Sequence, residues 1–381
     1  MAWDVGIIGL GAMGSMAAWQ LAQRGTSVIG FEQFGIGHDR SAVGGETRLF
    51  RTAYKEGAEY VPLLKESKHL WKQLEDQSGN KLLHLNGGLN IGPIEDEFMQ
   101  NVLKSVKDFN LDHEILDYMD AKRRYPQHIL GPDEIMVLDK DAGFLRPELA
   151  VVSAVKRAEQ LGAEIRSHAK VESFEANDDG IVIKSDGHEY KVKQLLITAG
   201  PWIGEMLPQF KPVVNVKKII LSWFPAKNVE DYQPSRFPIF TRRSSGHRLF
   251  GAPTVEGSMV KVGVSTPGDV VEDVNYLNRT VELSEFKESM EVVSKFFNGL
   301  YTDPVRVNAY MDAYTDDGHS MIGRVPGYPN VVVMGGFSGH GFKMAPALGK
   351  IASDILIHDS TPFDLKSLSP DRFSPSLKTE F

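Results

Sequence analysis

The chain has 381 residues, 42% of them hydrophobic and 24% charged, which suits a globular protein of about two domains. Fifty acidic against 42 basic residues leave a net charge of -8, which argues against nucleic acid as a main partner, and no apolar stretch approaches a membrane span. The absence of cysteine excludes disulfides, thiolate metal sites and cysteine nucleophiles, and no metal is expected.

The first predicted element is a strand from Asp4 to Leu10 that ends in Gly9-x-Gly11-x-x-Gly14 and runs into a helix, where Met13, Ala17 and Leu21 recur at helical spacing. Gly25 stands where a C-cap belongs, and a second strand, Ser27 to Phe31, delivers Glu32. Each part has a dinucleotide-binding reason. Gly9 permits the tight turn, Gly11 lets a pyrophosphate approach the backbone, and Gly14 lets helix and strand pack closely. The helix start, with Ala12 and Met13, would hold the phosphates, and Glu32 would take a ribose hydroxyl while disfavouring a phosphorylated ribose. With the first strand at residue 4 no signal peptide is expected, Lys378 to Phe381 is no peroxisomal address, and the cytoplasm is the expected compartment.

Next comes a polar, glycine-rich loop, Gly35 to Thr47, containing Arg40 as a candidate cofactor contact, followed by Arg48 and Arg51. The spacing predicts an amphipathic helix from Tyr60 to Glu75, strands at Leu83 to Ile91 and Ile135 to Leu138 around a helix from about Glu95 to Asn110, and a helix from Pro147 to Gly162. Short strands follow at Glu164 to Ile165 and Ile181 to Ile183. Leu195 to Trp202 is a second strand-then-glycine junction, which makes Gly200 and Trp202 candidate cofactor contacts. Residues 215–317 read as an antiparallel sheet, with runs at Lys218 to Phe224, His247 to Phe250 and Met259 to Val264. A buried-type strand, Val331 to Met334, leads into a second glycine loop, Gly335 to Lys343, and a helix to about Leu356. The tail after Asp359, with Pro362, Pro370 and Pro375, is expected to pack loosely.

These elements predict an α/β protein: a discontinuous Rossmann-like nucleotide domain of residues 1–84, 148–214 and 318–381, and a second domain of 85–147 and 215–317 built on a mixed or antiparallel sheet. In the second glycine loop Gly336, Gly339 and Gly341 would let backbone touch a flat ring, and the helix behind it carries partial positive charge suited to the pyrimidine edge of a reduced flavin.

Gly9-x-Gly11-x-x-Gly14 with Glu32, Gly45-Glu46-Thr47-Arg48-x-x-Arg51-x-Ala53-Tyr54, Thr198 to Trp202 and Gly336 to Lys343 together resemble the monomeric sarcosine oxidase and N-methyltryptophan oxidase family, which includes fructosyl amino acid oxidases. The resemblance runs in order over nearly the whole chain, weakest in the middle sheet. It implies a monomeric FAD enzyme that oxidises secondary amines of amino acids by hydride transfer to flavin N5, with oxygen reduced to hydrogen peroxide and the imine hydrolysed. By the same resemblance Arg51, with Lys343, matches the anchor of the substrate carboxylate. Arg48 matches the flavin-side arginine, Lys261 the lysine that assists oxygen, and Thr47 and Val171 match flavin and adenine contacts. His340, inside the glycine loop, is a candidate base or positioning group.

Three positions depart from the family pattern. An ungapped match from Tyr310 to His319 places Tyr310 where many members carry the cysteine bonded to the flavin 8α-methyl, so FAD is expected to be non-covalent. Ser265 stands at a histidine position and Phe250 at a tyrosine position, which makes the substrate side less polar there and leaves the identity of the amine open. A nicotinamide-dependent dehydrogenase, a flavin dehydrogenase with another electron acceptor and a non-catalytic FAD-binding protein remain alternatives at this point.

Overall fold

The computed structural model describes residues 2–52, 60–177, 180–265 and 268–373. Ala53 and Tyr54 of the second motif, and the tail beyond Phe373, lie outside them.

The fold is mixed α/β, built on two eight-stranded sheets and one three-stranded sheet. In the first large sheet Trp3–Ile8 lies parallel between Val28–Glu32 and the long strand His188–Ile197, with Glu164–Ser167 beyond Val28–Glu32 and Tyr328–Gly335 parallel to the end of His188–Ile197. The central strands are continuous apolar runs because both faces are covered, as a parallel sheet requires. Helix Ala12–Gln23 packs against helices Pro147–Gln160 and Ala345–His358. Gly349 permits that contact, since a Cβ there would stand 2.6 Å from the carbonyl carbon of Met16.

The second large sheet runs in the order Arg306–Thr315, Val214–Pro225, Met259–Val264, His247–Ala252, Ile239–Ser244, Gly88–Pro93, Glu134–Asp139, His113–Leu116. Its one parallel pair is Gly88–Pro93 with Ile239–Ser244; the other pairs are antiparallel, so the sheet is mixed. The small sheet, Arg48–Phe50, Gly143–Leu145 and Leu83–His84, is antiparallel.

Four expectations are corrected. The single strand expected from Leu83 to Ile91 is two, Leu83–His84 and Gly88–Pro93, in different sheets; Gly87 takes a φ of 85° between them. Residues 215–317 are not all strand, because helix Leu283–Phe296 lies inside, opened by a reciprocal cap between Glu282 and Glu285. The second glycine loop does not open the long helix directly, since a short 3-10 turn, Phe342–Met344, intervenes. After Asp359 the chain as far as Phe373 is not loose: Leu368 and Phe373 are buried, and Arg372 pairs with Asp317 at 2.7 Å.

Candidate active site

A cleft runs along the carboxyl ends of the parallel strands, where an open α/β sheet presents ligands. One end is built from the first fingerprint. Gly9 turns at a φ of 90°, where a Cβ would stand 2.6 Å from the Thr198 carbonyl oxygen, and a Cβ on Gly14 would collide with the Gly9 carbonyl oxygen. Gly11 is different. Its nearest neighbour would be a Val43 methyl at 3.8 Å, so its open side faces the cleft and leaves room for a phosphate against the backbone. Glu32 lines the cleft and accepts the backbone N–H groups of Leu10 at 3.1 Å and Phe34 at 2.9 Å, with His38 Nε2 at 3.3 Å. Two carboxylate oxygens offer about four acceptor positions, so capacity remains for a ribose hydroxyl. Val171, Gly200 and Trp202 stand on the same wall with Ala12 and Met13.

The other end meets the second glycine loop. Gly336, Ser338 and Gly339 take φ values of 65°, 50° and 82°. The loop is pinned to the second sheet, because the Ser338 N–H donates to the Ala313 carbonyl at 3.0 Å and the Thr315 N–H donates to Ser338 Oγ at 3.2 Å. Gly336, Gly339 and Gly341 line the cleft here, with Arg48, Asp312 and Ala313. Arg48 donates to the carbonyls of Ala42, Gly44 and Thr47, so the guanidinium also shapes the loop before it.

That loop carries two residues at positive φ, Gly45 at 115°, which glycine adopts freely, and Glu46 at 64°, which is strained for a residue with a side chain. Glu148, in the first turn of helix Pro147–Gln160, holds it by accepting their N–H groups at 2.7 and 3.0 Å. Thr47 Oγ1 is buried with no hydrogen-bond partner among the described residues, an orphaned polar atom of the kind a bound polar ring would satisfy. Beneath the loop, Lys261 Nζ donates to the carbonyls of Gly45 at 3.2 Å and Thr47 at 2.5 Å. Burial, and then the Arg48 cation, push its pKa well below the ordinary lysine value, which favours the neutral amine.

Arg51, Lys343 and His340 lie off the cleft wall. Arg51 is buried and reaches Thr241 Oγ1; Lys343 is buried and donates from Nζ to the His340 carbonyl at 2.9 Å. His340 Nδ1 lies 3.2 Å from the Ser338 carbonyl, and its ring meets Tyr60 edge-on at 5.7 Å. Arg40 is exposed, 4.8 Å over the Phe34 ring. Phe250 packs with Leu221, Trp223 and Tyr310, and Ser265 is exposed.

Sequence reasoning singled out neither Asp312 nor Glu148. Tyr310, the position matched to the flavin-linked cysteine, does not line the cleft and packs under Gly44, whereas Asp312, two residues on, does line it. Burial pushes the Asp312 carboxyl up to about 6, against the lowering effects of Arg48 and the N–H groups of Ala313 and Gly339. Among the described residues no group of His, Asp and Glu could hold a metal ion, and no helix is long and apolar enough to cross a membrane.

A sheet with a parallel centre and this fingerprint, an acid at the end of its second strand and a second glycine bend at the far end of one cleft mark the class, a dinucleotide-binding protein of the FAD type. The chain belongs to the DAO family of FAD-dependent oxidoreductases, whose model matches residues 4–355. It is 32% identical over 377 residues to monomeric sarcosine oxidase of Streptomyces avermitilis, covering 98% of both chains. It is 30% identical over 376 residues to N-methyl-L-tryptophan oxidase of Salmonella dublin, covering 98% of this chain and 100% of the relative. Among solved structures the fold is similar to NikD, an unusual amino acid oxidase essential for nikkomycin biosynthesis, with a TM-score of 0.85, 20% identity and 97% of each chain covered. It is also similar to L-proline dehydrogenase from P. horikoshii, with a TM-score of 0.84, 20% identity and 98% of each chain covered. The protein is an FAD-dependent enzyme of the oxidoreductase class.

Proposed function

We propose that the chain oxidises N-substituted amino acids, such as N-methyl or N-fructosyl amino acids, using non-covalently held FAD and dioxygen. Support comes from the two full-length relatives and from one observation in particular. Arg48 lines the end of the cleft that meets the second glycine loop, and two further basic side chains, Arg51 three residues on and Lys343 at the end of that loop, are buried. Guanidinium and ammonium groups held in place by the fold suit a site that receives a carboxylate. In this reading residues 1–84, 148–214 and 318–381 carry the cofactor, and 85–147 with 215–317 cover the substrate.

FAD, when bound, supplies a two-electron acceptor for hydride from the carbon bearing the amine. The residues do the rest. Gly11 and the start of helix Ala12–Gln23 hold the pyrophosphate, Glu32 the ribose, and Val171 the adenine through its backbone, with Thr47 and the bend from Gly336 to Gly341 against the ring. Arg51 and Lys343 hold the substrate carboxylate in a fixed orientation, and a guanidinium does this with two parallel N–H donors. The positive surroundings favour the neutral amine, the form that releases hydride.

A panel of sarcosine, N-methyltryptophan, fructosyl-valine, pipecolate and glycine, tested for anaerobic flavin bleaching and for peroxide release, addresses the proposal. Bleaching and peroxide with at least one secondary amine, and much less with glycine, are expected; bleaching by none of the secondary amines would reject it. Acid precipitation should leave the yellow colour in the supernatant, and colour retained on the polypeptide contradicts non-covalent binding.

A dehydrogenase passing electrons to another acceptor is the second reading, favoured by the depressed Lys261 pKa, since a neutral amine stabilises developing superoxide less than an ammonium. Lys261→Met separates the two. As an oxidase residue, its loss slows reoxidation by oxygen much more than anaerobic reduction; equal effects on both half-reactions favour the dehydrogenase.

A further inference from the structure

Arg51 follows the small-sheet strand Arg48–Phe50, and its guanidinium reaches the second large sheet. The adjacent backbone is tied to Asp139, whose carboxylate accepts the Thr52 N–H at 2.9 Å and the Thr52 hydroxyl at 3.0 Å. The guanidinium reaches the same sheet one strand pair further on. Arg51 Nη1 donates to Thr241 Oγ1 at 3.4 Å, at the long end for a hydrogen bond, and the Thr241 hydroxyl donates to Asn90 Oδ1 at 2.9 Å. Asp139, Asn90 and Thr241 stand on three successive strands, Glu134–Asp139, Gly88–Pro93 and Ile239–Ser244, and Thr241 faces Asn90 in the sheet's one parallel pair.

The chemistry of this pair has a direction. A threonine hydroxyl has one proton and two lone pairs. Because Asn90 takes the proton, the lone pairs are turned toward Arg51, and a rotor that would otherwise be free becomes a fixed acceptor. Asn90 itself is 1% exposed between the fully buried apolar residues Leu89 and Ile91, a position that disfavours an amide unless its hydrogen bonds are made. The polar pair in an apolar sheet is therefore accounted for by what it orients.

We propose that Thr241, its hydroxyl set by Asn90, is a positioning residue that aims the Arg51 guanidinium at the substrate carboxylate. This rests on the assignment of Arg51 as the carboxylate anchor. It also makes that anchor depend on two sheets, since Arg51 follows a strand of the small sheet and Thr241 stands on the second large one.

The test uses the holoenzyme and propionate as a minimal carboxylate, with binding read from the visible flavin spectrum. Thr241→Val keeps the shape and removes the acceptor. It should weaken propionate binding, and raise KM for a carboxylate-bearing amine, by about tenfold to a hundredfold, the range for losing one hydrogen bond to a charged group, with kcat nearly unchanged. Thr241→Ser, which restores the hydroxyl, should recover most of the affinity; Thr241→Val should lower Tm by a few degrees because it takes away the donor to Asn90, and an unchanged far-UV circular dichroism spectrum in both variants shows that the sheet is intact. If Arg51→Ala weakens propionate binding while Thr241→Val leaves it untouched, the positioning role is overturned and the anchor stands. If Arg51→Ala has no effect, the anchor assignment fails and the positioning role fails with it. A loss in Thr241→Val that serine does not restore also overturns the role, because shape and not the hydroxyl would then be responsible.

Discussion

Asp312 is a carboxyl on the cleft wall with a guanidinium nearby and two backbone N–H groups directed at it, and burial still outweighs them and moves its pKa from 3.8 up to about 6. A folded-state pKa above the unfolded value means that the native state binds more protons between these two pH values. The contribution of this group to stability is therefore fully present below about pH 4 and is lost as pH rises through 6. Asp312→Asn removes the titration. In the apoprotein the variant should gain stability relative to wild type as pH is raised from 4 to 7.5, by at most about 3 kcal/mol, and thermal melts across that range read the difference. A difference that does not change with pH would show that Asp312 is as easily ionised as an exposed carboxylate. The residue was not legible in the sequence. The family match points to Tyr310, on the same face of its strand by the period of two, and only the tertiary fold shows that this face runs under Gly44 at one residue and opens to the cleft at the other. Glu148 was hidden for a related reason: the loop it staples lies 103 residues away in the chain.

The glycines of the fingerprint can be told apart by what a methyl group would meet. At Gly14 an added Cβ collides with the Gly9 carbonyl oxygen and the Thr198 hydroxyl, whereas at Gly11 the nearest atom would be 3.8 Å away. Helix propensity favours alanine over glycine by about 1 kcal/mol, but overpacking against backbone costs about 1–3 kcal/mol, so the clash decides the sign at Gly14. Gly14→Ala should lower the Tm of the apoprotein and Gly11→Ala should leave it nearly unchanged. Gly11→Ala should nonetheless weaken FAD binding by at least about tenfold, measured by quenching of flavin fluorescence, because the new methyl occupies the space a phosphate needs. An equal loss of Tm in both variants would contradict this separation. The fingerprint was legible because its signals are local: a strand, three glycines, a helix and an acid within 32 residues. Elements with weaker local signals were not. Strand Val171–Asn177 has one buried residue in seven and shows no alternation. Helix Leu283–Phe296 buries only Ser289, Val292, Val293 and Phe296, a narrow stripe in a stretch whose neighbours are strands.

On the scale of the whole molecule the cleft gathers residues from both large sheets: Gly9, Glu32 and Val171 come from the first and its connections, Asp312 and Ala313 from the second. Neither large sheet forms the cleft by itself, so a ligand filling it binds the native arrangement and has no comparable site in the unfolded chain. Linkage then requires FAD to raise the stability of the entire fold, by about 2.7 kcal/mol at a free concentration one hundred times the dissociation constant and by about 1.4 kcal/mol more for each further tenfold. Removing FAD by dialysis against a chaotrope and returning to buffer should lower Tm by several degrees, and adding FAD back should restore it in steps that follow the logarithm of its concentration. AMP, which reaches the Glu32 end alone, should restore only part of the shift, because it leaves the end built by Arg48, Asp312 and the second glycine loop empty. Full restoration by AMP would mean that the second sheet gains nothing from the cofactor, and a Tm indifferent to FAD would mean that the cleft is not where it binds.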